Sequence, residues 1–82
     1  MNSEEIFGQV LKSIRKEKKL NQEELAFRSN LDWTYISMLE RGIHQPTLNS
    51  LLAIAAALDM KAAKLVQFVE EQLNKQNLYN IF

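Results

Sequence analysis

The sequence predicts an all-α protein in which five helices form one domain of residues 1–82. Only two glycines and one proline occur in the 82 residues, so few positions interrupt a helix. Apolar residues recur at steps of three and four, which is the period of an amphipathic helix. The length lies near the lower limit for a core that holds without disulfides, and no linker-like segment divides the chain.

The composition excludes several kinds of protein. There is no cysteine and only one histidine, and there is no glycine-rich phosphate loop, so we expect no catalytic residues, no metal and no cofactor. The longest apolar run, Leu51 to Leu58, is too short to span a membrane, and Glu4 and Glu5 stand where a signal peptide would be basic. We therefore expect a cytoplasmic protein without a membrane partner.

The first two helices are predicted from their caps and apolar spacing. The first runs from about Glu4 to Lys18 with Ser3 as its N-cap, and its apolar face consists of Ile6, Val10, Leu11 and Ile14. The second runs from Gln22 to about Ser29, because Asn21 followed three residues later by Glu24 forms a capping box. It is barely two turns long.

The third helix follows a sharp turn. Asn30 is expected to adopt the left-handed backbone conformation there, since Asn accepts it more readily than most residues. Asp32 is the predicted N-cap of a helix from Trp33 to Arg41, and Gly42 marks its end.

The last two helices are more apolar. Thr47 caps a fourth helix from Leu48 to about Leu58, which is expected to be buried on more than one side by Leu48, Leu51, Leu52, Ile54, Ala55 and Leu58. A fifth helix runs from about Lys61 to Gln76. The tail after it contains the apolar residues Leu78, Tyr79, Ile81 and Phe82.

The second and third helices are joined by a turn too short for an antiparallel hairpin, so they must cross steeply. Ala26 provides the small residue that a close crossing needs. The apolar residues that fix the angle from beneath are Leu25, Leu31, Ile36 and Leu39. The outer side of the third helix must then present Trp33, Thr34, Ser37 and Met38, with Tyr35 and Arg41 at its flanks.

This pattern resembles the lambda-repressor-like, Xre-type family of helix-turn-helix regulators. The similar residues read IRKEKKLNQEELAFRSNLDWTYISMLERG followed by PTLNSLLAIAAALD, and they cover roughly Val10 to Leu58. The segment NLDWTYISMLERG is most similar to the small controller proteins of bacterial restriction-modification systems. The resemblance implies a five-helix fold whose third helix enters the major groove of operator DNA while the second rests on the backbone. A regulator of this type would also meet RNA polymerase.

The resemblance also implies roles for individual residues. Arg15 and Glu40 match a structural ion pair that joins the first helix to the end of the third. The expected DNA-binding residues are Gln22, Trp33, Thr34, Tyr35, Ser37, Met38, Arg41, His44 and Gln45. Trp33 departs from the controller-like pattern, which has a polar or basic side chain there. Its indole could pack on thymine methyl groups or a sugar, or fold back as hydrophobic cover.

A dimer is expected because one recognition helix covers few base pairs and the net charge of the chain is zero. The predicted dimer surface is the fifth helix and the tail, about residues 61–82, through Leu65, Phe68, Val69, Leu73 and Phe82. Two other functions on the same fold stay open: a protein-interaction module built on Trp33, Tyr35 and Met38, and the antitoxin of a toxin-antitoxin pair. The neutral charge and Trp33 support the protein-interaction module, whereas Thr34, Ser37 and the basic residues from Arg15 to Lys19 favour DNA binding.

Overall fold

The computed structural model describes residues 1–76, which form five helices and no strand. The helices are α1 (Ser3–Glu17), α2 (Gln22–Ser29), α3 (Trp33–Glu40), α4 (Leu48–Ala57) and α5 (Ala62–Gln76). The predicted all-α class and the order of the elements are confirmed, and every boundary lies within one residue of its predicted position. The apolar tail residues Leu78, Tyr79, Ile81 and Phe82 lie outside the described residues.

The N-terminal caps explain where three helices begin. Asn21 and Glu24 form the predicted capping box at α2, and Thr47 accepts a hydrogen bond from the Ser50 backbone N–H at α4. The prediction for α1 was wrong, because Asn2 and not Ser3 is the N-cap. Asn2 lies three residues before Glu5, and the two exchange both hydrogen bonds of a capping box.

Asp32 occupies the N-cap position of α3, as predicted, but its side chain makes no capping hydrogen bond. The first turn of α3 also contains no acidic residue. The backbone N–H groups at the start of α3 therefore have no carboxylate bound to them.

Helices α1 to α4 all end in the same way. A residue in the left-handed conformation follows each helix, and the next residue donates its backbone N–H to a carbonyl five positions earlier, as in a Schellman motif. The left-handed residues are Lys19, Asn30, Gly42 and Asp59, and the apolar residues after them are Leu20, Leu31, Ile43 and Met60. Asn30 and Gly42 were predicted, whereas Lys19 and Asp59 were not.

The core forms around α1, which packs against α3 and α5, while α2 packs against α3 and α4, and α4 packs against α5. Each helix contributes at least one large side chain with almost no exposed surface; these are Ile6, Leu11, Leu25, Ile36, Leu39, Ile54, Leu58 and Leu65. Burying one such side chain stabilises a fold by about 1.5–3 kcal/mol. The core therefore fixes α2 and α3 against the rest of the domain.

The expectation that the apolar residues of α4 are all buried was wrong for two of them. Leu48 is 71% exposed and Leu52 is 50% exposed, although Ile54, Ala55 and Leu58 are in the core. Leu48 and Leu52 are four residues apart and so lie on one face of α4, and none of the described neighbours covers that face.

Candidate nucleic-acid interface

The crossing of α2 and α3 is fixed by the turn between them. Asn30 has φ of 57° and ψ of 39°, and the Leu31 N–H donates to the Ala26 carbonyl at 3.0 Å. Ser29 is buried, and its hydroxyl donates back to the Leu25 carbonyl at 2.7 Å, so no polar atom of this turn is left without a partner beneath the surface. The small side chain of Ala26 is 5% exposed. The predicted helix-turn-helix geometry is therefore present.

Gly8 lets α1 approach the end of α3 closely. A Cβ atom at this position would lie 2.5 Å from the Leu39 carbonyl oxygen and 2.7 Å from the Glu40 carbonyl oxygen. Both are backbone atoms, so they could not move away by a simple rotation of a side chain. Gly8 was not among the residues predicted for the site, although a glycine in the interior of an amphipathic helix is a signal of a close contact.

Arg15 and Glu40 form the predicted ion pair between α1 and α3. Arg15 Nε donates to Glu40 Oε2 at 2.6 Å, and a second guanidinium nitrogen donates to Glu40 Oε1 at 3.0 Å. A third nitrogen donates to the Leu20 carbonyl at 2.7 Å. Both residues are buried, and the hydrogen bond with Glu40 raises the pKa of Arg15 although burial opposes this shift. Arg15 therefore stays charged in the folded domain, in spite of its burial.

A chain of hydrogen bonds extends from this pair to the surface. Gln22 Nε2 donates to Glu40 Oε1 at 3.0 Å, and Trp33 Nε1 donates to Gln22 Oε1 at 3.2 Å. Gln22 thus joins the first turn of α2 to both ends of α3. Gln22 was predicted as a DNA-binding residue and Glu40 as part of the ion pair. Their hydrogen bond was not predicted, because no spacing rule links residues 18 positions apart.

The residues predicted for the outer side of α3 lie on that side in the structure. Trp33, Thr34 and Arg41 are exposed, and Tyr35, Ser37 and Met38 are half-buried. Thr34 lies between two shallow grooves. One groove is lined by Gln22, Trp33, Thr34 and Ser37, and the other by Asp32, Thr34, Tyr35, Met38, His44, Gln45 and Thr47. The structure thus brings the predicted DNA-binding residues together on one side, with the exception of Arg41, which lines neither groove.

The loop after α3 is tied to the start of α1. Gln45 Nε2 donates to Ser3 Oγ and to Glu4 Oε1, both at 2.6 Å. Gly42 has φ of 76°, and a Cβ atom there would lie 2.9 Å from Glu5 Cα. His44 is exposed in this loop. Gln45 therefore holds the loop that presents His44, in addition to lining the groove.

The residues expected on the dimer surface are distributed differently. Leu65 is a core residue with 0% exposure, because α5 turns it towards α1 and α4, so it has no surface to offer a second copy. Phe68, Val69 and Leu73 are half-buried against the core, and Lys64 Nζ lies 5.0 Å from the centre of the Phe68 ring. Phe82 lies outside the described residues. Val66, by contrast, is 46% exposed on α5.

Within the part of the chain that the structure describes, we find neither a membrane-spanning helix nor a metal-binding cluster. No helix within residues 1–76 is long and apolar enough to cross a membrane. No group of three or more His, Asp or Glu side chains within the same residues could hold a metal ion.

Residues 11–65 match the family model described as "Helix-turn-helix", and the matched segment contains both α2 and α3. The chain belongs to this helix-turn-helix family.

Individual relatives refine this class. The chain is 42% identical over 69 residues to the immunity repressor protein of Bacillus phage phi105, of which it spans only 46%, about half of its length. It is 39% identical over 64 residues to the control protein C.BamHI of Bacillus amyloliquefaciens, and this match covers 77% of the chain and 79% of the relative. The structure of the restriction-modification controller protein C.Esp1396I, a tetramer in complex with its natural 35 base-pair operator, is similar with a TM-score of 0.78 and 35% identity, over 87% of this chain and 93% of that one. The resemblance to controller proteins and to repressors is thus confirmed.

Proposed function

We propose that this protein is a sequence-specific DNA-binding regulator of transcription that binds a roughly palindromic operator as a dimer in the cytoplasm. The observation that carries the proposal is the geometry of α2 and α3: a buried network fixes their crossing, while Trp33, Thr34 and Arg41 stay exposed on the outer side. A helix held in this way suits the major groove of B-DNA. The operator complex of the similar controller protein supports the same assignment.

In this proposal α3 reads bases and α2 holds the backbone. Thr34 and Ser37 present hydroxyls that hydrogen-bond base edges or phosphate oxygens, and Arg41 adds a cation at the end of α3. The first backbone N–H groups of α2 have no partner within the helix and point towards a phosphate. Gln22 Nε2 has a second N–H that is not used by Glu40, and this N–H can donate to the same phosphate.

The capping box makes one acidic residue of α2, Glu24, compatible with this contact. Glu24 is held by its hydrogen bond to the Asn21 backbone N–H at 2.9 Å, as the second half of the capping box. Its carboxylate therefore compensates the helix terminus and is not free to turn towards a phosphate.

The zero net charge of the chain makes a second copy important. One chain offers few cations for phosphate contacts, and two chains double both the phosphate contacts and the number of bases read. We place the dimer surface on the exposed side of α4 and α5, with Leu48, Leu52 and Val66 at its centre and the partly exposed edges of Val69 and Leu73 beside them. The two recognition helices would then lie about 34 Å apart, one turn of B-DNA.

The regulated unit that we propose is a restriction-modification operon that contains the gene of this protein, since control proteins are among its relatives. Contact with RNA polymerase would belong to this activity. We propose no enzymatic activity, because the matching family model is a helix-turn-helix and the relatives include a repressor and control proteins.

The test is a titration against the DNA upstream of the protein's own gene and against random-sequence duplex, at two salt concentrations, followed by the fluorescence of the single tryptophan. We expect tight, salt-sensitive binding to the upstream DNA and weak binding to the random duplex. Arg41→Ala should lower the slope of log affinity against log salt by about 1 per chain. Lys75→Ala, which removes the same charge near the end of α5, should leave the slope unchanged. Equal affinity for both duplexes would contradict the proposal and favour a protein-interaction module.

The dimer surface has its own test. Leu52→Lys places a charge on the exposed face of α4, so we expect monomers in sedimentation equilibrium at concentrations where the unaltered chain is dimeric. Phe27→Lys is the matched control, because Phe27 is 87% exposed on α2. A Leu52→Lys chain that is still dimeric would place the surface elsewhere.

A further inference from the structure

Trp33 is the residue of the candidate interface whose chemistry the structure restricts most. Its indole is 53% exposed, so it does not serve as hydrophobic cover for the core. An indole has one hydrogen-bond donor and no acceptor. That donor is already bound to Gln22 Oε1 at 3.2 Å, and no donor is left for a base. The exposed part of Trp33 is therefore a purely apolar ring.

The orientation of the ring is held from below. Gln22 donates from Nε2 to the Glu40 carboxylate at 3.0 Å, and Glu40 is itself held by Arg15. If the Gln22 amide flipped, its oxygen would face the carboxylate and its N–H groups would face the indole N–H. Both contacts would then be repulsive, so Gln22 can present only its oxygen to Trp33. This keeps the indole N–H turned inwards and the ring edge outwards.

The major groove offers one bulky apolar group to such a ring. The other groups on the base edges there are hydrogen-bond donors, acceptors or single C–H bonds, whereas thymine carries a methyl group at C5. The same methyl group occurs at C5 of 5-methylcytosine. Trp33 also lines the groove with Thr34 and Ser37, which places the ring at the side of α3 where we expect base edges.

We propose that the exposed ring of Trp33 reads the C5-methyl group of one pyrimidine in each half-site of the operator. The inference rests on the proposed function, since it needs α3 in the major groove. Of the three alternatives for Trp33, which were a thymine methyl group, a sugar and hydrophobic cover, this proposal selects the methyl group. Trp33 is then a determinant of sequence specificity. The occupant is a methyl group because the ring has no free polar atom with which to read anything else.

The experiment uses the full chain and a duplex selected by it from a random-sequence pool. Each thymine of the selected site is replaced by deoxyuridine, which removes only the methyl group, at the two symmetry-related positions together. Affinities are measured by the anisotropy of labelled DNA. We expect one position at which the loss of the methyl group weakens binding about fourfold per half-site and about 15-fold for both, from the transfer free energy of one buried methyl group. At this position a 5-methylcytosine·guanine pair should bind about fourfold per half-site more tightly than a cytosine·guanine pair.

Three variants assign the effect to the ring. Trp33→Ala should bind thymine and deoxyuridine duplexes equally at that position. Trp33→Phe lacks the indole N–H but retains an aromatic ring, so part of the difference should persist. Phe27→Ala, which truncates an aromatic residue that is 87% exposed on α2, should show the full difference of the unaltered chain.

Two results would overturn the inference. If no thymine position responds to deoxyuridine, the ring contacts a sugar and reads no methyl group. If the difference persists in Trp33→Ala, the methyl group is read by Thr34 or Met38 instead. A failure of the proposed function is seen at an earlier stage, because the chain would then select no duplex from the pool.

Discussion

Glu40→Ala is the substitution with the largest expected effect on stability. It removes the acceptor of two charge-assisted hydrogen bonds from Arg15 and of one from Gln22, and it leaves a buried guanidinium with the Leu20 carbonyl as its remaining protein partner. Removing one member of a buried ion pair costs about 3–5 kcal/mol. The whole domain of 82 residues is expected to be stable by about 4–12 kcal/mol, so this variant should lose at least about a quarter of its free energy of unfolding.

The informative comparison is with a pair of apolar replacements. In Arg15→Met/Glu40→Leu no charge is left buried, and replacing both members of a buried pair by apolar side chains is often neutral or stabilising. We therefore expect the double variant to be more stable than either Glu40→Ala or Arg15→Ala, although it contains two substitutions. Stability is measured by urea denaturation, followed by the helical signal in circular dichroism. If Arg15→Ala and Glu40→Ala each lose less than about 1 kcal/mol of unfolding free energy, the pair behaves like an exposed one and the reasoning is refuted.

Three further substitutions test other parts of the structure. Gly8→Ala should lower the free energy of unfolding by about 1–3 kcal/mol, because the methyl group overpacks against the Leu39 and Glu40 carbonyls and this outweighs a gain of about 1 kcal/mol in helix propensity. A melting temperature above that of the unaltered chain would contradict the contact. Lys19→Gly should raise the free energy of unfolding by about 0.5–1 kcal/mol in urea denaturation, because Lys19 has φ of 60° and glycine adopts this conformation without strain. A lower free energy of unfolding would show that Lys19 is not strained. Thr47→Ala should lower the free energy of unfolding by about 1 kcal/mol in the same assay, since the Thr47 hydroxyl caps α4. An unchanged urea midpoint would show that the cap contributes nothing to stability.

Much of the fold could be predicted because the signals are local. Asn21 and Thr47 cap the helices that follow them, and Asn30 adopts the left-handed conformation, since each of these roles depends on residues within a few positions. Ser3 and Asn2 both suit an N-cap by residue type, and the residue that distinguishes them is Glu5, which lies three positions after Asn2. The exposure of Leu48 and Leu52 could not be predicted, because it depends on where the other helices pack.

The residues on the outer side of α3 could be predicted, but the hydrogen bonds between the side chains of the candidate interface could not. The outward face of α3 followed from the spacing of its inward residues Ile36 and Leu39, and both are fully buried. The bond from Trp33 to Gln22 depends on the side-chain rotamers of two helices in contact, and sequence spacing contains no information about rotamers. For the same reason the sequence left three alternatives for Trp33 open.

The hydrogen bonds that run from the Trp33 indole through Gln22 and Glu40 to Arg15 all have a fixed donor and a fixed acceptor, and under the proposed function this limits how the DNA preference of the chain can change. A new side chain at position 33 must either donate to the Gln22 oxygen or leave that oxygen without a partner. Arginine at this position would have to divide its donors between a guanine and Gln22. Within the proposed function, a change of operator therefore requires residues 22 and 33 to be exchanged as a pair, and libraries that vary α3 alone would sample mostly chains in which the exposed side chain at position 33 no longer matches its partner at position 22.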